Sequence, residues 1–448
     1  MEEKDDKEFI ISGIDDKEKI IKDLLDTSNS EKVSLNLLID ENIEVENKDG
    51  KIIITVNIPE ADYENKPVHL NNNFRHSYIR RHESNQRATD DEIRTMIRNS
   101  KEILDDKSLQ GYSINDIDID TLEEYRRRLD KQNPSNIYKN KNDNELLISL
   151  GAMTKNRETG KEELNLGGLL FFGKYSSIRE QLPHYHLDYI NRINPGTKRW
   201  SDRVATGDLN YLNLNLYQFF ITVLEKLKLT LNTEFELDEE LSRSDNHDME
   251  IAVREALANT IIHADYLQDL PVKVTAYNDY YEFENPGNMR VSIEEFTMGG
   301  KSRPRNHIIE LLFRTIGFCE RAGSGGQKIF QTAITKDYKI PDIEQGKNST
   351  LLRFWKINFI DSYPDMNEDA KQIMMILRKE TITTTKRIMD ETAFGKTKVL
   401  KILNDLIDKK IIKKIGKGKS TKHSIIETKR EIIANLEHIV RQVQKDLT

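Results

Sequence analysis

Arg254-Glu255-Ala256-Leu257-Ala258-Asn259-Thr260-Ile261-Ile262-His263 is the stretch on which the fold turns. Its apolar members, with Ile251, Ala252 and Val253 before them, predict a helix over residues 250–263, with Asp248 as a cap. Glu255, Asn259 and His263 are spaced i, i+4, i+8 and so stack on one face. Three polar side chains in line on an otherwise apolar helix need partners if they are buried. One reading is a hydrated metal-phosphate site. Asn259 would offer a carbonyl oxygen to Mg2+, and Glu255, one turn away, would polarise a water. The plainer reading is a solvent-facing polar stripe, the commoner fate of such spacing.

Downstream, Val272, Val274 and Ala276 alternate with polar residues, Asn278-Asp279 turns the chain, and Tyr281 and Phe283 continue on a return strand. That strand runs into Asn285-Pro286-Gly287, a tight turn that brings backbone close to a ligand or merely ends a strand. Residues 299–306 (Gly-Gly-Lys-Ser-Arg-Pro-Arg-Asn) form a short cationic loop in which Lys301, Arg303 and Arg305 either meet phosphates or stand exposed. Arg321-Ala322-Gly323-Ser324-Gly325-Gly326 then precedes a helix expected over residues 327–332. Glycines at a helix N-terminus free backbone N–H groups to face an anion. Upstream, helices are expected over residues 121–129, 144–152 and 213–229, and a strand over 186–190.

The order helix, hairpin, Asn-Pro-Gly turn, glycine loop, helix resembles the helicase-RecG-like transcriptional regulators. Their middle domain is similar to the GHKL (gyrase, Hsp90, histidine kinase, MutL) ATP-binding fold. The resemblance implies that Glu255 is the base and Asn259 the Mg2+ ligand of the motif. It places His263 on the nucleotide side of the same helix. It makes Asn285 and Gly287 the adenine-contacting turn, and Gly323, Gly325 and Gly326 the second glycine box. ATP and Mg2+ are the cofactors so implied. Asn285 stands where active GHKL ATPases carry Asp, and its amide accepts a hydrogen bond with less polarity than a carboxylate. Binding of a nucleotide is therefore expected more readily than its efficient hydrolysis.

Residues 1–105 alternate short strands and helices. Strands are expected over 33–38, 51–58, 67–70 and 77–81, with a helix over 18–25 and a capping box at Thr89-Asp90-Asp91-Glu92. Pro67-Val68-His69, then Tyr78-Ile79-Arg80-Arg81, resembles the end of an AlbA/Schlafen-type domain, a fold associated with nucleic acid. Its opening strand pattern is missing, so the domain is expected to be incomplete. Arg75, Arg80 and Arg81 would contact phosphate or pair with nearby acids.

The last block, residues 364–448, reads as three amphipathic helices followed by a hairpin, the winged helix-turn-helix plan. The helices are expected over 368–378, 386–391 and 397–409, and the hairpin over 411–415 and 424–426. Residues 396–422 hold ten lysines against Asp405 and Asp408. In that plan Lys396, Thr397, Lys398 and Lys401 open the helix that enters the major groove, and Lys417, Lys419 and Lys422 on the wing track phosphates. Winged helices also serve as protein-interaction modules; the charge favours double-stranded DNA. Beyond them, Ile432, Leu436, Ile439, Val443 and Leu447 form one helical seam. It would pair with a second copy or pack on its own winged helix.

The 448 residues carry a net charge of −8, yet residues 365–448 have 19 Lys and Arg against 12 Asp and Glu. A local nucleic-acid contact is expected, not a chain coated in positive charge. Cys319 is the one cysteine, which excludes an internal disulfide and a multi-cysteine metal site and suits a reducing cytoplasm. No signal peptide and no apolar run of membrane-spanning length is read. The expected fold is thus α+β and multidomain. It comprises an incomplete AlbA/Schlafen-type domain (1–105), a GHKL-like α/β sandwich with a helical lead-in (106–363), and a winged helix-turn-helix plus C-terminal helix (364–448). The expected function is a cytoplasmic, homodimeric or larger DNA-binding transcriptional regulator with a nucleotide sensor or oligomerisation platform. The alternatives are a weak Mg-dependent ATPase in nucleic-acid processing or phage defence, and a structural partner with both sites vestigial.

Overall fold

The computed structural model describes residues 2–3, 9–81, 84–100, 105–157, 159–235, 243–319, 323–416, 418 and 421–446. The chain divides into two compact units, residues 1–102 and 103–448.

In the first unit a helix spans Lys17–Ser28 and another Asp90–Ser100. Ile43–Lys48 pairs with Lys51–Val56, and Tyr78–Arg81 with Ser84–Arg87, each antiparallel. The capping box is formed: Glu92 N donates to Thr89 Oγ1 at 3.3 Å, and Thr89 N donates to Glu92 Oε2 at 2.8 Å. The strands expected over 33–38 and 67–70 are replaced by isolated bridges, Val33 with Leu70 and Leu70 with Asn73. Pro67 lacks a ladder donor, and Asn71 and Asn72 both adopt positive φ, which ends any extended run there. Arg75 pairs with Asp90 at 3.3 Å, Arg81 pairs with Glu92, and Arg80 donates to Asn85. Two of the three arginines expected at phosphate therefore have acidic partners.

The second unit is built on a six-stranded sheet. Its strands are β1 (Leu187–Asn191), β2 (Asp202–Ala205), β3 (Val272–Ala276), β4 (Tyr280–Pro286), β5 (Asp342–Gln345) and β6 (Ser349–Trp355). They lie in the order β2–β1–β3–β4–β6–β5. Only β1 and β3 run parallel. A parallel pair needs a crossover, and the chain makes it through two long helices. Besides short helices over Asp143–Ser149 and Tyr175–Gln181, the helices around this sheet are α1 (Ile119–Gln132), α2 (Leu166–Phe172), α3 (Leu216–Phe235), α4 (Arg243–Ile262), α5 (Ile293–Met298), α6 (His307–Thr315) and α7 (Ser324–Thr335). Along β4, Tyr281, Phe283 and Asn285 are buried while Glu282 and Glu284 are partly exposed. This two-residue period sends one side of the strand to the helices and the other to water. On the covered side, Ala252, Val253, Ala256, Leu257, Ala258 and Ile261 of α4 are at most 1% exposed. The result is a helix layer on a mixed sheet.

Two boundaries differ from expectation. α4 begins at Arg243, so Asp248 lies inside the helix and is not its cap. α7 begins at Ser324, so Gly325 and Gly326 are first-turn residues. Gly323 is the N-cap, in the left-handed region at φ +70°.

Beyond the sheet lie α8 (Glu368–Glu380), β7 (Thr383–Thr384), α9 (Thr385–Thr392), α10 (Lys396–Asp408), β8 (Ile412–Ile415), β9 (Lys422–Ile425) and α11 (Lys429–Asp446). The three short strands form their own sheet, ordered β7–β9–β8. Ile373, Met374, Leu377, Ile388, Val399, Leu403, Leu406, Ile412 and Ile425 make a separate core beneath it. α11 packs on α5 and α7, and Ala434 enters the larger core. The expected seam on α11 does not pack on the preceding helices: Ile432, Leu436 and Ile439 are 42%, 57% and 56% exposed. The side chains of Val443 and Leu447 lie outside the described residues. Among the described residues no helix is long and apolar enough to cross a membrane.

Candidate functional site

A cavity opens between α4, the end of β4, the 299–303 loop and the start of α7. Asn259, His263, Asn285, Gly323, Gly325 and Gly326 all line it. Helical spacing delivers Asn259 and His263 to the wall, and strand alternation delivers Asn285. Gly287, at φ +94°, turns the chain away beyond it. The cavity brings together six of the eight residues expected from the resemblance.

Glu255 is placed differently. It is 2% exposed, pairs with Arg254 at 3.3 Å, and is not part of the cavity wall. Its carboxylate also lies near Cys319, whose thiol is pushed up to about 12 by burial first and by Glu255 and Glu310 next. Gly325 is what links Glu255 to the cavity. A Cβ at that position would stand 2.8 Å from Asn259 Nδ2 and 2.9 Å from Glu255 Oε2. The first turn of α7 is thus pressed against both side chains of the motif, an approach open only to glycine.

Neighbouring contacts are equally close. A Cβ on Gly323 would fall 2.2 Å from the Lys301 carbonyl, and one on Gly326 2.3 Å from the Phe296 carbonyl. The cationic loop is therefore folded down on the glycine turn. Lys301 pairs with Glu295, which holds that carboxyl below its usual range. Arg305 is not a loop cation facing phosphate: it is 1% exposed. Its Nε donates to the His263 carbonyl at 3.0 Å and its Nη2 to the Asn288 carbonyl at 2.9 Å. Burial, then Arg305 and Arg290, push His263 down to about 4, so its imidazole is neutral at pH 7.

Asn259 Nδ2, a donor, and Asn288 Oδ1, an acceptor, are buried atoms of the wall without hydrogen-bond partners. Buried polar groups are normally satisfied, so both mark places where a ligand can bond. Asn285 donates through Nδ2 to the Pro286 carbonyl at 3.0 Å and the His263 carbonyl at 3.4 Å. That leaves its Oδ1 as the acceptor for an incoming amino group. Sequence reasoning missed Thr350, which lines the cavity, stands opposite Asn285 in the β4–β6 register and donates to the Gly287 carbonyl at 2.8 Å. It becomes visible only once that strand pairing is known.

The residues present suit a nucleotide in kind. Asn259 and the N–H groups of the α7 first turn would hold phosphates and Mg2+, and Asn285 the base. The cavity is about 80 Å3, whereas ligand pockets run roughly 300–1,000 Å3. Admission of a nucleotide requires the 299–303 loop and the glycine turn to draw back from α4. Among the described residues no cluster of three or more His, Cys, Asp or Glu could hold a metal ion. Any Mg2+ here would depend on Asn259 and on the ligand's own oxygens.

In the C-terminal region Lys396, Thr397, Lys398 and Lys401 are exposed on the first turns of α10, and Lys422 is exposed on β9. Lys398 is engaged by Asp369 at 2.7 Å and lies over the Phe394 ring at 3.8 Å. Lys417 and Lys419 lie outside the described residues. Lys413 and Lys414 on β8 are exposed as well.

Residues 269–354 match the family described as "Putative ATP-dependent DNA helicase recG C-terminal". Asn285, Gly287, Gly323, Gly325 and Gly326 fall within that segment; Glu255, Asn259 and His263 precede it. Residues 94–188 match a domain of unknown function, DUF8451. No curated protein matches the chain. Among solved structures, the DIP2311 protein from Corynebacterium diphtheriae aligns over 88% of this chain and 81% of its own, at 14% identity and a TM-score of 0.43. The second unit therefore contains, over residues 269–354, an ATPase-type domain similar to the C-terminal region of that recG family.

Proposed function

We propose that the chain is a nucleotide-responsive DNA-binding regulator. Its C-terminal helices and three-stranded sheet act as a winged helix on duplex DNA, and the cavity beside α4 senses a purine nucleotide. The observation that carries this reading is the seat of α11. The helix that follows the basic hairpin is anchored on the elements flanking the cavity. Lys429 meets Glu294 of α5 at 2.8 Å, and Arg430 donates to the Pro341 carbonyl at 3.2 Å, next to β5. A ligand that moves α5 or α7 would therefore shift the DNA-binding end.

Support for the nucleotide comes from the convergence of Asn259, Asn285 and the glycine turn on one cavity, and from the recG-type segment. Support for duplex DNA comes from the exposed cations that open α10. Phosphate contacts would position the protein, since lysine reads bases less specifically than bidentate arginine. The exposed Ile432, Leu436 and Ile439 are assigned to a second copy of the chain, so that two winged helices would meet a two-fold site. When bound, Mg-ATP would supply phosphate charge to the first turn of α7. Hydrolysis is the weaker reading, because Glu255 faces Arg254 and not the cavity.

The test is fluorescence anisotropy on the duplex upstream of the protein's own reading frame and on a scrambled one, over a salt range, with and without Mg-ATP. Selective binding that Mg-ATP alters is expected. Binding indifferent to Mg-ATP would leave the cavity without a sensing role, and no binding to either duplex would overturn the regulator reading.

A further inference from the structure

A second concavity shares no lining residue with the cavity beside α4. Arg128, Lys131 and Gln132 of α1, Arg254 of α4, and Ile316, Gly317 and Phe318 after α6 line it. Its volume is about 390 Å3, within the ~300–1,000 Å3 range of ligand pockets. Among the described residues the wall holds three cations and no carboxylate. Arg128 Nε and Arg254 Nε are both buried without a hydrogen-bond partner. The Arg128 guanidinium lies over the Phe318 ring, 4.7 Å from its centroid, a cation–π contact. Arg254 has one acidic partner, Glu255, at 3.3 Å.

A structural explanation covers only part of this. Lys131 sits in the last turn of α1, where a cation suits the helix dipole. That does not explain Arg254, which comes from the middle of α4, nor two guanidinium N–H groups left without acceptors. Glu255 offsets one of the three positive groups, so the cleft keeps a net positive charge that a bound anion would relieve. Guanidinium forks match phosphate oxygens two at a time, and an ammonium adds a point charge.

We propose that this cleft is a binding site for a small, multiply charged phosphate-bearing anion, held by Arg128, Lys131 and Arg254. The assignment stands independently of the nucleotide reading, since none of the seven lining residues belongs to the cavity wall. A soluble phosphate compound and a nucleic-acid backbone share the relevant oxygens; the small volume, about 390 Å3, favours the soluble one.

Inorganic pyrophosphate is the probe, titrated calorimetrically into the full chain without Mg2+. One site per chain is expected. Arg128→Ala with Lys131→Ala should weaken it by about tenfold or more, the loss of charge-assisted contacts. Lys131→Ala alone changes an exposed side chain, should leave the unfolding midpoint unchanged, and should still weaken binding measurably. Asn259→Ala, in the other cavity, should leave pyrophosphate affinity unaltered. Absence of binding, or equal binding by both cleft variants, would overturn the proposal. So would loss of binding in Asn259→Ala, which would put the anion in the nucleotide cavity. A short DNA duplex should not displace the pyrophosphate; displacement would assign the cleft to backbone phosphate instead.

Discussion

Gly325 decides whether the cavity can work. A Cβ there would fall 2.8 Å from Asn259 Nδ2 and 2.9 Å from Glu255 Oε2, which leaves no room for a methyl group. Gly325→Ala forces the first turn of α7 away from α4 or twists both side chains, at roughly 1–3 kcal/mol for overpacking. Urea unfolding should show a lower midpoint with an unchanged slope, and nucleotide affinity should fall with it. Retained stability and affinity would mean that the turn is not pressed on the motif in solution. His263 gives a second residue-scale test. Its folded value is about 4, against about 6.5 for a free histidine. Between these values the unfolded chain holds more protons, so stability rises with pH across that window and is lost as pH falls through it. At ~1.4 kcal/mol per pH unit the upper bound is ~3 kcal/mol. Wild-type stability minus that of His263→Gln should therefore decline from pH 7 to pH 4. A flat difference would mean that the folded imidazole takes up its proton as readily as the unfolded one.

At the scale of elements, α10 carries the DNA prediction. Lys396 and Lys401 are exposed without an acidic partner among the described residues, whereas Lys398 is held by Asp369. Each phosphate contact contributes about 0.9 to the slope of log affinity against log salt. Replacing Lys396 and Lys401 by Ala should lower that slope by about two, and Lys398→Ala by less. Equal slopes in all three proteins would remove α10 from the interface. Elements were also where the sequence was most legible. Alternation of Tyr281 and Phe283 predicts the return strand, which in the structure also buries Asn285. The 3.6-residue period places α4 with Asn259 and His263 on one face. Strand order was not legible, because the pairing of β6 with β4 joins residues far apart in the chain and only that pairing brings Thr350 to Asn285. Arg305 misled for a related reason. A cation among Gly, Ser and Pro reads as exposed, and its burial depends on the carbonyls of His263 and Asn288, which no local pattern reveals. The start of α7 was placed three residues late, because glycine has poor helix propensity. Here the glycines are inside the helix because nothing larger fits beside Glu255 and Asn259.

For the whole molecule, the proposed regulator needs a link between a small cavity and the basic C-terminal elements, and α11 is the link proposed. Its partly buried side places Glu437 beside Gln327 next to the buried Ala434, Lys429 reaches Glu294 at the rim, and its apolar stripe faces outward. That polarity is the reverse of an ordinary surface helix. It is reasonable only if the stripe is covered in the working assembly, and a second copy of the same helix is self-complementary. Leu436→Glu with Ile439→Glu should then give a smaller species in sedimentation velocity; an unchanged mass would leave the stripe without a role in assembly. The inward face makes a separate prediction. Opening the cavity requires the 299–303 loop and the glycine turn to retreat, and α5 and α7 border both. Glu294 on α5 and Gln327 on α7 are the points at which α11 grips them. Lys429→Ala together with Glu437→Ala should loosen that grip while sparing α10 and the cavity wall. Exposed ion pairs contribute only about 0–1 kcal/mol, so the protein should stay folded, bind duplex DNA and bind nucleotide as before. What should disappear is the effect of Mg-ATP on DNA affinity in the anisotropy titration. If that effect persists undiminished, the coupling passes through some route other than α11, and the C-terminal helix serves assembly alone.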